Sequence, residues 1–372
     1  MTLRVSWRQA LAWRMRRHLL DPVGTLPVAG VVRRLCAVQT QVASSAELAV
    51  RLRRERSRPG EVARALAEGR LIKTWAMRGA LHLLTPEDGG AFLSLIAAGR
   101  RWELPSWQRY FGLTPQVMIH FREAVREALD GAPLTREELI AALVRRRRLR
   151  HLGEGLRSGW GTLLKPLAWL GDLCHGPARG PRVTFTRPEA ASPRWASLPD
   201  PDEAGPVAVR AYLAAYGPAT MDNFGRWLGA GTGRRRLRAA FAALGDALAE
   251  VEVDGERAYV LAEDVDALAS TKPTAAVRLL PGFDQYVLGP GTDDVHILPP
   301  GRRSAVSRQA GWIAPIVVAS GVVCGTWEPD GDHVRIAWFR EAGRPPRKAL
   351  EAEVARLSSI LARDFGAVVT QA

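Results

Sequence analysis

Two amide side chains, Gln39 and Gln41, flank Thr40 in the stretch CAVQTQVASS at residues 36–45. An amide does not titrate, so neither residue offers ordinary proton chemistry. Each can donate and accept hydrogen bonds at once, which suits holding a water molecule or a base edge. Spacing sets a condition on any joint action. On a regular helix, residues two apart differ by about 200° around the axis and cannot face one target. The pair can work together only where a helix ends or the backbone turns extended, and the small, polar VASS that follows is a natural place for an ending. The plain alternative is two solvated residues at a helix end.

The remaining candidates are mostly basic. Lys and Arg together number 52 against 38 Asp and Glu, a formal net charge of +14 over 372 residues, with a sequence pI of about 10.7. Such an excess favours a polyanionic partner, nucleic acid first and an anionic membrane surface second. Only Lys73, Lys165, Lys272 and Lys348 are lysines, a bias that matches a GC-rich genome, so the net charge is more informative than arginine identity. Through Arg58 there are twelve arginines against Asp21, Glu47 and Glu55. Two more clusters follow, RRRRLR at 145–150 and RRRLR at 234–238. Arg54, Arg56 and Arg58 in RERSRPG, with Arg145, Arg146, Arg147 and Arg148, are expected to meet phosphate, giving salt-dependent affinity without sequence choice.

Other chemistries find little support. Cys36, Cys174 and Cys324 are few and far apart, which suggests neither a disulfide framework nor a cysteine zinc site. GTDDVH at 291–296 offers Asp293, Asp294 and His296 to a metal, but an acidic, Gly-containing turn is the simpler reading, and no metal is expected. No phosphate-binding Gly-rich loop or nucleophile elbow occurs, so no nucleotide or other cofactor is expected. The arginine-dotted start is no signal peptide. The longest apolar run, IAPIVVASGVVC at 313–324, is too short to span a bilayer. A soluble, cytoplasmic protein is expected.

Three segments that would position these residues share one order of elements. From about 27 to 86, helical VVRRLCAVQT, SAELAVRLRR and PGEVARALAEG lead into LIKTWAMRGALHLLT, which alternates like paired strands. From about 132 to 187, LTREELIAALVRRRR opens on Thr135 before Glu138 in capping-box spacing; helical WGTLLKPLAWLGD and the strand RVTFTR follow. From about 205 to 262, three helical runs precede a hairpin turning at Asp254-Gly255. Helices followed by a hairpin form a winged helix, which presents its last helix to DNA. The Pro-rich stretch at 187–206 reads as a linker. Beyond about 275, short β-rich runs and a final amphipathic helix suggest a small barrel-like or sheet domain. The expected fold is α+β: three tandem winged-helix units and a small β-barrel-like C-terminal domain. Its divisions are 1–131, 132–190, a linker at 191–204, 205–272, and 273–372.

In this order, LCAVQTQVASSAELAVRLR, KTWAMRGALHLL, LLPGFDQYVLG and GWIAPIVVASGVVCGTWE resemble the bacterial winged-helix DNA glycosylase family typified by AlkZ and YcaQ. The resemblance covers nearly the whole chain and is closer to the AlkZ-like members. It implies a C-shaped arrangement of the three units. It further implies removal of bulky N7-alkylguanine lesions, including interstrand crosslinks and natural-product adducts, as repair or self-resistance. The family's glutamine–aliphatic–glutamine motif falls on Gln39-Thr40-Gln41, which makes Gln39 and Gln41 the expected catalytic pair. Thr40 departs from the aliphatic pattern; it keeps β-branching and adds a hydroxyl, a change that bears on local packing and substrate range. Arg78 or His82 in WAMRGALH would approach the lesion or contact DNA, while Asp284 in PGFDQY reads as a buried structural carboxylate.

The amides suit such a substrate. Guanine alkylated at N7 is cationic, its C1′–N9 bond is already weakened, and the departing base needs no protonation. What remains is to place a water and stabilise an oxocarbenium-like sugar, and positioning and oriented dipoles contribute substantially to both. The expected partner is double-stranded DNA containing alkylated guanine, bound by a monomer. The competing reading is a winged-helix DNA-binding or regulatory protein without chemistry.

Overall fold

The first strand, Leu3–Val5, finds its partner far along the chain, pairing in parallel with Leu248–Val253. That long-range closure is characteristic of the protein, which a computed structural model describes for residues 2–229 and 231–372. The fold is mixed α+β. It forms two compact units, each assembled from separated segments. One comprises Met1–Val62, Val209–Trp227 and Leu244–Ala372; the other comprises Ala63–Ala208 and Leu228–Ala243.

In the first unit, Leu248–Val253 and Glu256–Leu261 form the expected hairpin. Asp254 (φ 46°) and Gly255 (φ 89°) turn it, the positive-φ pair that matches the twist of paired strands. The Asp254 carboxylate also accepts from the Trp7 backbone N–H at 2.8 Å, at the start of helix Trp7–Arg17. Ser6 and Gln9 make a capping box at the same end, satisfying N–H groups the helix leaves open.

The C-terminal part of this unit is a single sheet in the order Val277–Leu280, Ile316–Ala319, Val322–Asp330, His333–Trp338, Gly366–Gln371. The expected barrel does not form: the order is linear, with Val277–Leu280 and Gly366–Gln371 at its two edges. The physical reason is that both faces are already covered. Leu279, Val317 and Ile336 pack under Leu350, Val354 and Leu357 of helix Arg347–Leu361. On the opposite face, Leu280, Ile316 and Val318 join Leu11, Met15, Phe283 and Tyr286. Burial on both faces also explains the unbroken apolar run in this part of the sequence. The final strand, which runs parallel to His333–Trp338, was not expected; its GAVVTQ is mostly exposed and carries little periodic signal.

In the second unit, Ile72–Trp75 and Leu81–Leu84 pair as the expected antiparallel hairpin. Cys174–His175, Thr184–Thr186 and Leu134–Thr135 extend the sheet from Ile72–Trp75. Thr135 and Glu138 form the predicted capping box at the start of helix Arg136–Val144. Of WGTLLKPLAWLGD only Lys165–Trp169 is helical. Gly161 turns with φ 62°, and a Cβ there would lie 2.4 Å from the Trp75 ring. The Pro-rich stretch is docked, not loose: Ser192 donates to the Gly69 carbonyl at 2.6 Å, and Ser94 donates to the Pro199 carbonyl at 2.8 Å.

Candidate active site around Gln39 and Gln41

The helix expected to run through VVRRLCAVQT stops early. Helix Val28–Arg34 ends at Leu35, and Cys36 takes a left-handed φ of 64°, a conformation few side chains adopt willingly. Two bonds hold this break: the Tyr216 hydroxyl donates to the Leu35 carbonyl at 2.8 Å, and the Cys36 thiol donates to the Ala211 carbonyl at 3.0 Å. The chain then runs extended through Val38–Gln39 before helix Ala43–Arg51 begins. The geometric condition on the two glutamines is therefore met, because neither lies within a regular helix.

The motif crosses the protein surface. Thr40 is buried, at 4% exposure, and Gln39 is nearly so at 8%, whereas Gln41 is exposed. Thr40 thus occupies an interior position, where its β-branched shape fills space as an aliphatic residue would. The pair is not sealed inside an apolar interior. Helix Ala43–Arg51 begins directly after it, with no side chain capping its first turn, so unpaired N–H groups and the positive end of the helix dipole lie beside Gln41.

Support for the motif is a buried polar layer drawn from distant sequence. Just past that helix, Arg53 grips Asp284 with two bonds of 2.8 and 2.6 Å, and both side chains are shut off from solvent. Asp284 also accepts from the Tyr286 N–H at 2.8 Å, capping the turn Gln285–Leu288. The buried structural carboxylate expected in PGFDQY is thus accounted for, and its partner fixes the far end of the helix that follows the motif. A Cβ at Gly289 would lie 1.9 Å from the Tyr216 ring, so this glycine makes the room in which Tyr216 reaches Leu35. His18 meets the edges of Tyr216 and Tyr286 at 5.1 and 5.4 Å. Burial, then the guanidiniums of Arg53 and Arg14, push its imidazole well below its ordinary value, so it is neutral. Arg53, Tyr216 and Gly289 were not singled out in the sequence. Arg53 and Gly289 fall within LCAVQTQVASSAELAVRLR and LLPGFDQYVLG, two of the stretches that carry the family resemblance, whereas Tyr216 lies in none of them.

The basic candidates divide. Arg56 and Arg58 are exposed, on a cleft of about 700 Å³ also lined by Ser57, Arg356 and Ser359. Arg54 is largely covered, donating to the Leu26 carbonyl at 2.9 Å and pairing with Glu61. In the second unit, Arg145, Arg146, Arg147 and Arg148 are all exposed on the turn after helix Arg136–Val144. Arg146 pairs with Glu127 at 2.6 Å, and Arg148 contacts His120. Arg78 is exposed in the turn of the Ile72–Leu84 hairpin with φ 55°. His82 is fully buried, with Nδ1 donating to the Ala80 carbonyl at 3.0 Å. Burial, followed by the Arg78 charge, lowers its pKa to about 3. As placed, it is a neutral core side chain with no surface to offer DNA. Trp75 is likewise core.

The possible metal ligands are engaged elsewhere. His296 stacks on Trp7 at 3.6 Å and faces Glu256 at 3.2 Å, while Asp294 accepts from the His296 N–H at 3.0 Å. No cluster of three metal-ligating side chains occurs among the described residues. None of their helices is long and apolar enough to cross a membrane.

Comparison with known proteins agrees with this architecture. Residues 32–360 match the family model described as DNA glycosylase AlkZ-like. The chain is 49% identical over 358 residues, 96% of each chain, to an interstrand DNA cross-link repair glycosylase of Streptomyces sahachiroi. The solved structure of Streptomyces sahachiroi DNA glycosylase AlkZ superposes with a TM-score of 0.96 at 47% identity, covering 99% of this chain and all of that one. The chain therefore belongs to the AlkZ-like family of DNA glycosylases.

Proposed function

We propose that this protein hydrolyses the N-glycosidic bond of cationic, bulky N7-alkylguanine in duplex DNA, crosslinked guanine included, with Gln39 and Gln41 placing the attacking water. The observation that carries the reading is the extended backbone at Val38–Gln39 with Gln41 exposed beside it. Two amides two residues apart can then address one site. Family membership and the cross-link repair relative support the substrate class. Three segments, each helices followed by a strand pair or short strand, support the winged-helix reading, with exposed arginines at Arg56, Arg58, Arg78 and 145–148 meeting phosphates. Because the lesion supplies its own leaving-group activation, an uncharged pair is adequate, and unalkylated bases should be poor substrates.

The test is single-turnover release of N7-methylguanine, and of a guanine adduct or crosslink, from duplex DNA by the parent, Gln39→Ala and Gln41→Ala proteins. Release by the parent and its loss in both variants is expected. Parent-like release by both variants would remove the glutamines from the reaction, and DNA binding without any release would leave a protein that only grips nucleic acid.

A further inference from the structure

Helix Pro105–Phe111 in the second unit, PSWQRYF, has no buried residue although three of its seven side chains are aromatic. Tyr110 is 83% exposed and Leu104, just before the helix, 50%. The rings are ordered by mutual contact: Trp107 lies 4.6 Å from Phe111, and Phe111 lies 4.7 Å edge-on from Tyr110. Trp107 and Phe111 are half-buried and back the outer ring. Gly112 ends the helix with φ 63°, and buried Leu113 anchors the exit. His151 Nε2 donates to the Gly112 carbonyl at 3.1 Å, which staples this helix to the Arg147–Leu152 turn carrying the basic cluster.

We propose that this helix is a stacking platform for the substrate's DNA strand: unpaired bases stack on Tyr110 while phosphates of that strand meet the arginines at 145–150. Charge complementarity selects the occupant. Exposed Arg109 lies on the helix itself, and exposed Arg100 and Arg101 precede it, with Arg100 paired to Glu103 at 2.6 Å. His151 ties the helix to a turn with exposed Arg145, Arg147 and Arg150; an apolar protein surface docking here would have to desolvate these charges. A strand with negative phosphates and flat π-faces satisfies both features at once. Bases within an intact duplex are already stacked on each other, so the platform favours DNA that is locally opened. This inference rests on the proposed DNA substrate but not on the glutamine chemistry.

The experiment uses the full chain with two DNAs of equal length, one fully paired and one with a short unpaired stretch containing 2-aminopurine. Binding is read by anisotropy and stacking by 2-aminopurine quenching. Tyr110→Ala is expected to weaken binding of the opened DNA roughly 5- to 100-fold, to abolish the quenching, and to affect paired DNA far less; Tyr110→Phe restores the parent behaviour. Equal loss on both DNAs, or no loss on either, overturns the proposal. So does a dimer of the parent that Tyr110→Ala dissociates, since the occupant would then be a second copy. If the parent binds both DNAs as described yet releases no adduct, the glycosylase reading fails while the platform stands.

Discussion

Tyr216 donates its hydroxyl to the Leu35 carbonyl at 2.8 Å, four residues before Gln39, with both groups buried. Tyr216→Phe leaves that carbonyl short of a partner and should cost about 1–3 kcal/mol. It should also slow adduct release by protein that is still folded, because the helix break before the motif is loosened. Gly289→Ala, whose Cβ would meet the Tyr216 ring at 1.9 Å, should be at least as destabilising. Urea unfolding and single-turnover release at a temperature below the transition separate the two effects.

Gln41 and Gln39 should part company in stability while agreeing in activity. Gln41 is exposed, so Gln41→Ala should unfold within about 0.5 kcal/mol of the parent. Its release rate should nonetheless fall roughly a hundredfold if it orients the water. Gln39→Ala, at a nearly buried position, should lose stability as well. Melting curves beside release rates decide this.

The Arg53–Asp284 pair is sequestered from solvent, so removing one member strands a charge. Asp284→Leu and Arg53→Met should each cost about 3–5 kcal/mol. The double variant Arg53→Met with Asp284→Leu should recover much of that loss. Denaturant midpoints for the four proteins complete the cycle; additive losses would contradict direct coupling.

Buried His82 and half-buried His175 make the second unit sensitive to acid. Burial, then the charges of Lys73 and Arg136, lowers the His175 pKa to about 3, and His82 is lowered similarly, chiefly by burial. Below about pH 6.5 the unfolded chain takes up these protons and the folded chain does not. The stability they contribute is therefore complete above that pH and lost towards pH 3, at about 1.4 kcal/mol per pH unit for each histidine. Urea midpoints between pH 7.5 and 5 should fall accordingly, and His175→Phe should flatten the slope.

Arg145→Ala and Arg147→Ala, both at exposed positions, should weaken DNA binding without regard to sequence. Each should reduce the slope of log affinity against log salt by about one. An unchanged slope would place phosphate elsewhere.

Local signals were easy to find in the sequence: the Asp254-Gly255 turn, the Thr135–Glu138 cap, the paired strands around WAMRGALH, and the glutamine pair itself. What escaped depended on contacts between remote residues. Nothing near Tyr216 marks it as the support for Leu35, because its partner lies in another segment. The buried state of His82 could not be separated from an exposed alternation, since either face of a hairpin strand can point inward. The barrel expected from short β-rich runs became an open sheet because helix Arg347–Leu361 covers one face, and coverage is not written in strand periodicity. The left-handed Cys36 has no glycine to announce it, which is why the helix before the motif read as longer than it is.

The interleaving of segments has a consequence for biogenesis. The glutamines emerge early from the ribosome, yet Tyr216, which holds the helix break before them, Asp284, which holds Arg53 past the helix after them, and the strand that pairs with Leu3–Val5 are made much later. Contacts so distant in sequence form slowly and late. The nascent amino-terminal portion must therefore wait without those partners while Ala63–Ala208, the larger segment of the second unit, is being synthesised.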